Sequence, residues 1–172
     1  MTPSQNRLKE PSILLASSNC QKLVRNVSHV LDPTAVARLQ SEIDKNVAAL
    51  FQLGSEHNAF ARSIAHRHWR QRVSRFYYAA LNIKRAVTLK ASGDFSTDVS
   101  DHKNVGILPK DFQNQSTYGT RLENLRDDRN IADYSHVSSE TDLILSPAEA
   151  EALVNDFQGD AQTYLKKRGV SI

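Results

Sequence analysis

The densest polar cluster in the chain is Arg129-Asn130-Ile131-Ala132-Asp133-Tyr134-Ser135-His136. Arginine offers a permanently charged, planar fork that matches a phosphate, and histidine moves protons near neutral pH. Together the two side chains can cleave RNA without a metal. The imidazole withdraws the 2′-hydroxyl proton, and the guanidinium steadies the crowded, negatively charged phosphorus. The same residues admit a structural reading. In it Arg129 is a helix-end cation paired with Asp127, Asp128 or Asp133, and His136 faces solvent.

A second cluster runs His66-Arg67-His68-Trp69-Arg70-Gln71-Arg72 and continues with Arg75, Lys84 and Arg85. On one helix Arg67 and Arg70 would sit a turn apart, as would Arg72 and Arg75. Such a row could track a phosphate backbone, with Trp69 free to stack on a base. Trp69 equally fits an apolar stripe, which leaves the cations as a solvated face. His66 and His68 cannot share one helical face, so they make no metal pair. The acids Asp94, Asp98 and Asp101, with His102, lack the glycine and alternating spacing of a calcium loop and read as a surface loop. Tyr77, Tyr78 and Tyr134 read as core or interface aromatics.

The elements that must position these groups read as helices. The chain has 172 residues, about one domain's worth, and 40% of them are apolar. Gly and Pro number only 6 and 5, too few for the many tight turns of an all-β fold. A polar stretch, residues 1–11, is expected to be flexible, followed by one helical domain over 12–172. A first helix is expected from Ser12 to Leu31. Asp32-Pro33 then reads as an N-cap with proline at the first helical position, and Gly54 as the end of that second helix. Ser55 to Ala91 keeps helical spacing through Phe60, Ile64, Trp69, Val73, Phe76, Ala80, Ile83 and Val87. It is expected to be the longest helix or a helix pair, stopped by Gly93. Residues 92–117 read as a loop with one helical turn near Leu108 to Gln113, followed by a helix from Tyr118 to Tyr134. Ser138 to Leu145 reads as a further loop. Ser146-Pro147-Ala148-Glu149 carries the start signals of a last helix, which Gly169 ends. The expected fold is all-α, an antiparallel bundle of about five helices.

Other classes are excluded more simply. Apolar runs such as Ile13 to Ala16 and Val47 to Phe51 are far too short to cross a bilayer. Residues 1–6 lack the pattern of a secretory signal. The single cysteine, Cys20, allows no intramolecular disulfide and no Cys-rich zinc site. A cytoplasmic setting is therefore expected, with no cofactor, no metal and no membrane. The formal charge of +3 permits contact with nucleic acid without indicating it.

Taken in order, four pieces resemble a known family. They are Arg75-Phe76-Tyr77-Tyr78-Ala79-Ala80-Leu81, then Asp101-His102-Lys103 with Leu108-Pro109-Lys110-Asp111-Phe112, then Arg129-Asn130-Ile131-Ala132-Asp133-Tyr134, and a closing helix from Ser146. Residues 57–168 resemble a HEPN (higher eukaryotes and prokaryotes nucleotide-binding) domain, with the preceding helices as an N-terminal extension. The resemblance implies a helical bundle that dimerises. It also implies a metal-independent endoribonuclease of toxin–antitoxin or antiviral defence systems, acting on RNA and accompanied by an antitoxin or defence partner protein. Arg129, Asn130 and His136 would then be catalytic at a dimer cleft, supported by Asp133 and Tyr134, with Arg67, Arg70, Arg72 and Arg75 holding RNA phosphates. Products would carry 2′,3′-cyclic phosphate ends. Arg-x-x-Ala-Asp-Tyr is also the form found in members not known to cleave RNA, which implies the alternative of an inactive adaptor that binds nucleotide, RNA or protein.

Overall fold

Asp32 and Pro33 start the longest helix of the chain as their types predict: the Asp32 carboxylate accepts the Ala35 amide at 3.0 Å. The computed structural model describes residues 19–94 and 99–172. The stretch 1–11, the expected helix start at Ser12 and the acid Asp98 lie outside the described residues. Among them run α1 (Cys20–Val27), α2 (Pro33–Ser63), α3 (Trp69–Ser92), α4 (Val99–Lys103), α5 (Gln115–Tyr134) and α6 (Pro147–Lys167). A short 3-10 turn, Glu140–Asp142, precedes α6. No strand occurs among the described residues. The described residues form an all-helical, bundle-like packing, as the composition predicts.

Ion pairs and close contacts set the directions of the four long helices. Lys90 meets Asp44 at 2.6 Å while Arg75 lies over the Phe60 ring, so α2 and α3 run antiparallel. Ser74 approaches Asp133, and Arg129 meets Tyr78, so α5 is antiparallel to α3. Tyr118 donates to Asp160 at 2.8 Å while Asp128 accepts the Leu145 amide just before α6, and Gln158 donates to Ser55 while Arg62 meets Glu151, so α6 runs antiparallel to both α5 and α2. α3 lies at the centre, buried on almost every side through Val73, Phe76, Tyr77, Leu81, Ile83, Val87 and Leu89. Burying each of the larger apolar side chains contributes about 1.5–3 kcal/mol.

The sequence expectations around the α2–α3 connection are corrected. Gly54 does not end a helix but lies within α2, which continues to Ser63 and, at 31 residues, is longer than α3. A Cβ at Gly54 would lie 2.6 Å from Ile83 Cγ1 and 2.9 Å from the Ala79 carbonyl oxygen. The glycine is there for close helix approach. The break falls at Ile64–His68, without glycine or proline, so the segment Ser55 to Ala91 is divided between the end of α2 and α3. Gly54→Ala is expected to lower stability by about 1 kcal/mol, since overpacking outweighs alanine's advantage in helix propensity. Urea unfolding checks this, and an unchanged or higher midpoint would show that α3 can yield.

Elsewhere the capping chemistry behaves as read. Gly93 ends α3 with φ +83°, and its carbonyl accepts the Cys20 amide at 2.7 Å, which seats α1 on the end of α3. Ser146 and Glu149 form a reciprocal capping box at the start of α6. Residues 108–113 form a turn closed by Phe112 N–H on the Pro109 carbonyl, not a turn of helix, and α5 starts three residues before the expected Tyr118.

Candidate functional site

Arg126, Arg129, Asn130, Asp133 and Tyr134 recur at three- and four-residue steps, so α5 presents them as one stripe. α3 contributes Tyr77 and Tyr78, and α4 contributes His102 and Lys103. Tyr77, His102, Lys103, Arg126, Arg129, Asn130 and Tyr134 line a cavity of about 420 Å³.

Arg129 is held from several directions. One terminal nitrogen donates to the Tyr78 hydroxyl, and the other donates to Asn130 Oδ1 at 3.3 Å. Its Nε lies 2.8 Å from Asp133 Oδ2 but makes no well-directed hydrogen bond, so this contact is a side-on ion pair. The guanidinium carbon also lies 5.3–5.5 Å from the ring centres of Tyr77, Tyr78 and Tyr134. Burial works against its charge. The Tyr78 hydrogen bond, with Tyr78, Asp133 and Tyr134 nearby, more than offsets this and pushes its pKa up. The cavity therefore has a fixed cation.

His102 supplies the imidazole. Burial first, then the positive charges of Arg129 and Arg85, hold its pKa below the usual histidine value, with Asp101 opposing. The ring is neutral at physiological pH and available as a base. Its Nδ1 lies 2.6 Å from the Tyr77 hydroxyl, whose pKa burial pushes up to about 12. Tyr77 therefore keeps its proton, and the contact works in two senses. With Tyr77 donating, Nε2 carries the imidazole proton; with Tyr77 accepting, Nε2 is bare and can take one.

The anchor beneath His102 corrects the reading of Asp101 as a surface acid. Asp101 is 2% exposed and takes Lys84 Nζ at 3.0 Å and Arg85 Nε at 2.6 Å. This ion cluster pins the five-residue α4 to α3 and so aims the neighbouring imidazole. Asp94, by contrast, is exposed.

The basic row His66 to Arg75 does not form one helical face. His66, Arg67 and His68 lie in the turn between α2 and α3, so Arg67 and Arg70 are not stacked on a helix. Arg67 is exposed. Arg72 is buried, bonded to Glu151 at 2.6 Å and to His66 Nδ1 at 2.7 Å, and so faces the bundle instead of a phosphate backbone. Arg70 reaches across to the carbonyls of Ile131, Ala132 and Ser138 at 3.2, 3.0 and 2.5 Å. It thereby satisfies the C-terminal end of α5, whose last turn has no basic residue of its own. Arg75 is exposed over the Phe60 ring, and with Arg70, Gln71, Ser74, Ala132 and Asp133 it lines a second hollow of about 280 Å³.

His136 is exposed in the segment after α5 and is not among the residues lining the Arg129 cavity. Arg129, Asn130, Asp133 and Tyr134 do come together. Of the acids offered as structural partners, Asp133 pairs with Arg129 and Asp127 with Arg126. Asp128 is buried and accepts the Ile144 and Leu145 amides at 2.6 and 2.8 Å, which ties the loop before α6 to α5. Sequence reasoning missed Arg126, named Lys103 and His102 without placing them in the cavity, and read Tyr77 and Tyr78 only as core or interface aromatics. The helical spacing of Arg126 from Arg129 was the available signal for the first. Among the described residues no group of three His, Cys, Asp or Glu side chains converges as a metal-ligand set, and none of the helices is long and apolar enough to cross a membrane. Comparison with protein-family models, curated proteins and solved structures gives no match for the chain.

Proposed function

We propose that the chain is a HEPN-type, metal-independent endoribonuclease whose phosphate-binding residue is Arg129 and whose imidazole is His102. The observation that carries this reading is the sharing of one cavity by a fixed guanidinium and a neutral imidazole. In the reaction His102 takes the proton of a ribose 2′-hydroxyl, and the 2′-oxygen attacks phosphorus. The P–O5′ bond then breaks, the 5′-oxygen leaves with a proton from the imidazolium or water, and a 2′,3′-cyclic phosphate remains. Arg129, with Arg126 and Lys103 on the same wall, stabilises the negative charge that builds on the phosphoryl oxygens. Tyr77 is a positioning residue for the imidazole. A homodimer goes with this reading: Tyr134 and Val137, 72% and 82% exposed at the end of α5, offer an apolar rim for a second copy. A cytoplasmic toxin or defence role, with an antitoxin or defence partner, belongs to the same proposal.

A second reading is the inactive adaptor. It is favoured by Arg129 being already engaged by Tyr78, Asn130 and Asp133, and by the exposure of His136 outside the cavity. Incubation of the purified chain with total RNA in EDTA separates the two. Cleavage that Arg129→Ala and His102→Ala both abolish supports the enzyme. RNA binding without cleavage supports the adaptor.

A further inference from the structure

Asp133 is an odd residue to find where it is. It lies in the last turn of α5, where the partial negative charge of the helix end disfavours an acid and no basic residue of that turn compensates. Its short contact is with Arg129, at 2.8 Å; Ser74 Oγ is 3.5 Å away and restrains it little. The Asp133 carboxylate therefore stands beside the guanidinium of Arg129 as an anionic partner, the role a phosphate would take. Asp133 also borders the second hollow, with the cations Arg70 and Arg75 on that hollow's wall. A carboxylate displaced from Arg129 would thus find positive charge on its other side.

We propose that Asp133 is a built-in counter-anion for Arg129, which an incoming RNA phosphate displaces toward Arg75, so that Asp133 sets the affinity of the site. The inference rests on the reading of Arg129 as a phosphate-binding residue. It adds a requirement on the ligand: a polyanionic strand, held by several cations at once, exchanges with the carboxylate where an isolated phosphate competes poorly. Exchange also explains how an arginine with internal partners can serve an external ligand. The ion pair is partly exposed, with 13% of the Arg129 and 27% of the Asp133 side chain accessible, so opening it is not prohibitive.

The test is fluorescence anisotropy with a short labelled 2′-O-methyl RNA strand, which cannot be cleaved by 2′-hydroxyl attack. Asp133→Asn is expected to bind about tenfold more tightly at low salt. Glu140→Gln, an equal change of charge at an exposed site in the turn before α6, is expected to leave affinity unchanged. Arg75→Gln is expected to weaken binding in the wild type and to have no effect in the Asp133→Asn background. Asp133→Ala serves as a second variant, with thermal unfolding to show that each protein is folded. The proposal is overturned by Asp133 variants that bind no better than wild type, by a gain matched by Glu140→Gln, or by an Arg75→Gln effect equal in both backgrounds. Wild-type binding no tighter than that of Arg129→Ala would remove the phosphate-binding reading itself, and the proposal with it.

Discussion

His102→Ala is expected to lower RNA cleavage by about a hundredfold or more, the usual contribution of a positioned general base. His136→Ala is expected to leave it within about threefold, as for an exposed side chain outside the reacting cavity. Initial rates on a defined RNA in EDTA measure both, and the reverse order would return the catalytic role to His136. The pH profile gives a second check. Because burial and the positive charges of Arg129 and Arg85 favour the neutral ring, cleavage is expected to persist on acidification below pH 6.5, the ordinary histidine midpoint. The same shift has a stability consequence with a definite sign. A histidine whose folded pKa is depressed contributes fully above its unfolded value and loses that contribution as pH falls from 6.5 to the folded pKa. His57, held low by burial and then by Arg75, adds in the same direction. An acid limb that lies above 6.5 would exclude His102 as the titrating base.

Arg129→Ala is expected to have the largest effect. It removes the cavity's fixed cation, at a cost of about 3 kcal/mol in the transition state, more than a hundredfold in rate. In a bacterial host, expression of the wild-type chain alone is expected to arrest growth, and Arg129→Ala to relieve the arrest. Thermal unfolding must show the variant folded, because the substitution also leaves the Tyr78 hydroxyl and the Asp133 carboxylate without their cation. No arrest by well-expressed, folded wild-type protein, or an arrest that Arg129→Ala does not change, favours the adaptor.

Legibility in this chain follows how local the governing physics is. Asp32-Pro33, Gly93 and Ser146-Pro147 with Glu149 were readable because a cap satisfies backbone groups within a few residues of itself. Gly54 was misread because its role, admitting α3 to close contact, is visible only once Ala79 and Ile83 are opposite it. The break at Ile64–His68 carries no turn residue; the contacts of Arg72 with His66 and Glu151 brace it, the second of them 79 positions along the chain. At the site, Arg129, Asn130, Asp133 and Tyr134 were picked out as one contiguous run, while Arg126, one turn earlier on the same face of α5, was passed over. His102 was not, since the short helix that carries it is held by a carboxylate reaching Lys84 and Arg85, 17 and 16 positions back. An acid in a polar stretch looks like a solvated acid until buried cations are found around it.

Arg70 ties the end of α5 to a distant part of the chain. The carbonyls it binds, those of Ile131, Ala132 and Ser138, lie 61 to 68 positions further along the chain. The α2–α3 hairpin closes over a five-residue turn, a low-cost local event, whereas the end of α5 is secured only when it arrives beside a hairpin already formed. Assembly is therefore expected to be ordered, with the α2–α3 hairpin first and the end of α5 last. Pulsed hydrogen exchange during refolding is expected to protect the centre of α3 before the last turn of α5; the opposite order would refute it. A helix end held by a side chain 61 to 68 positions upstream is expected to be the last part of the bundle to order and the first to fray.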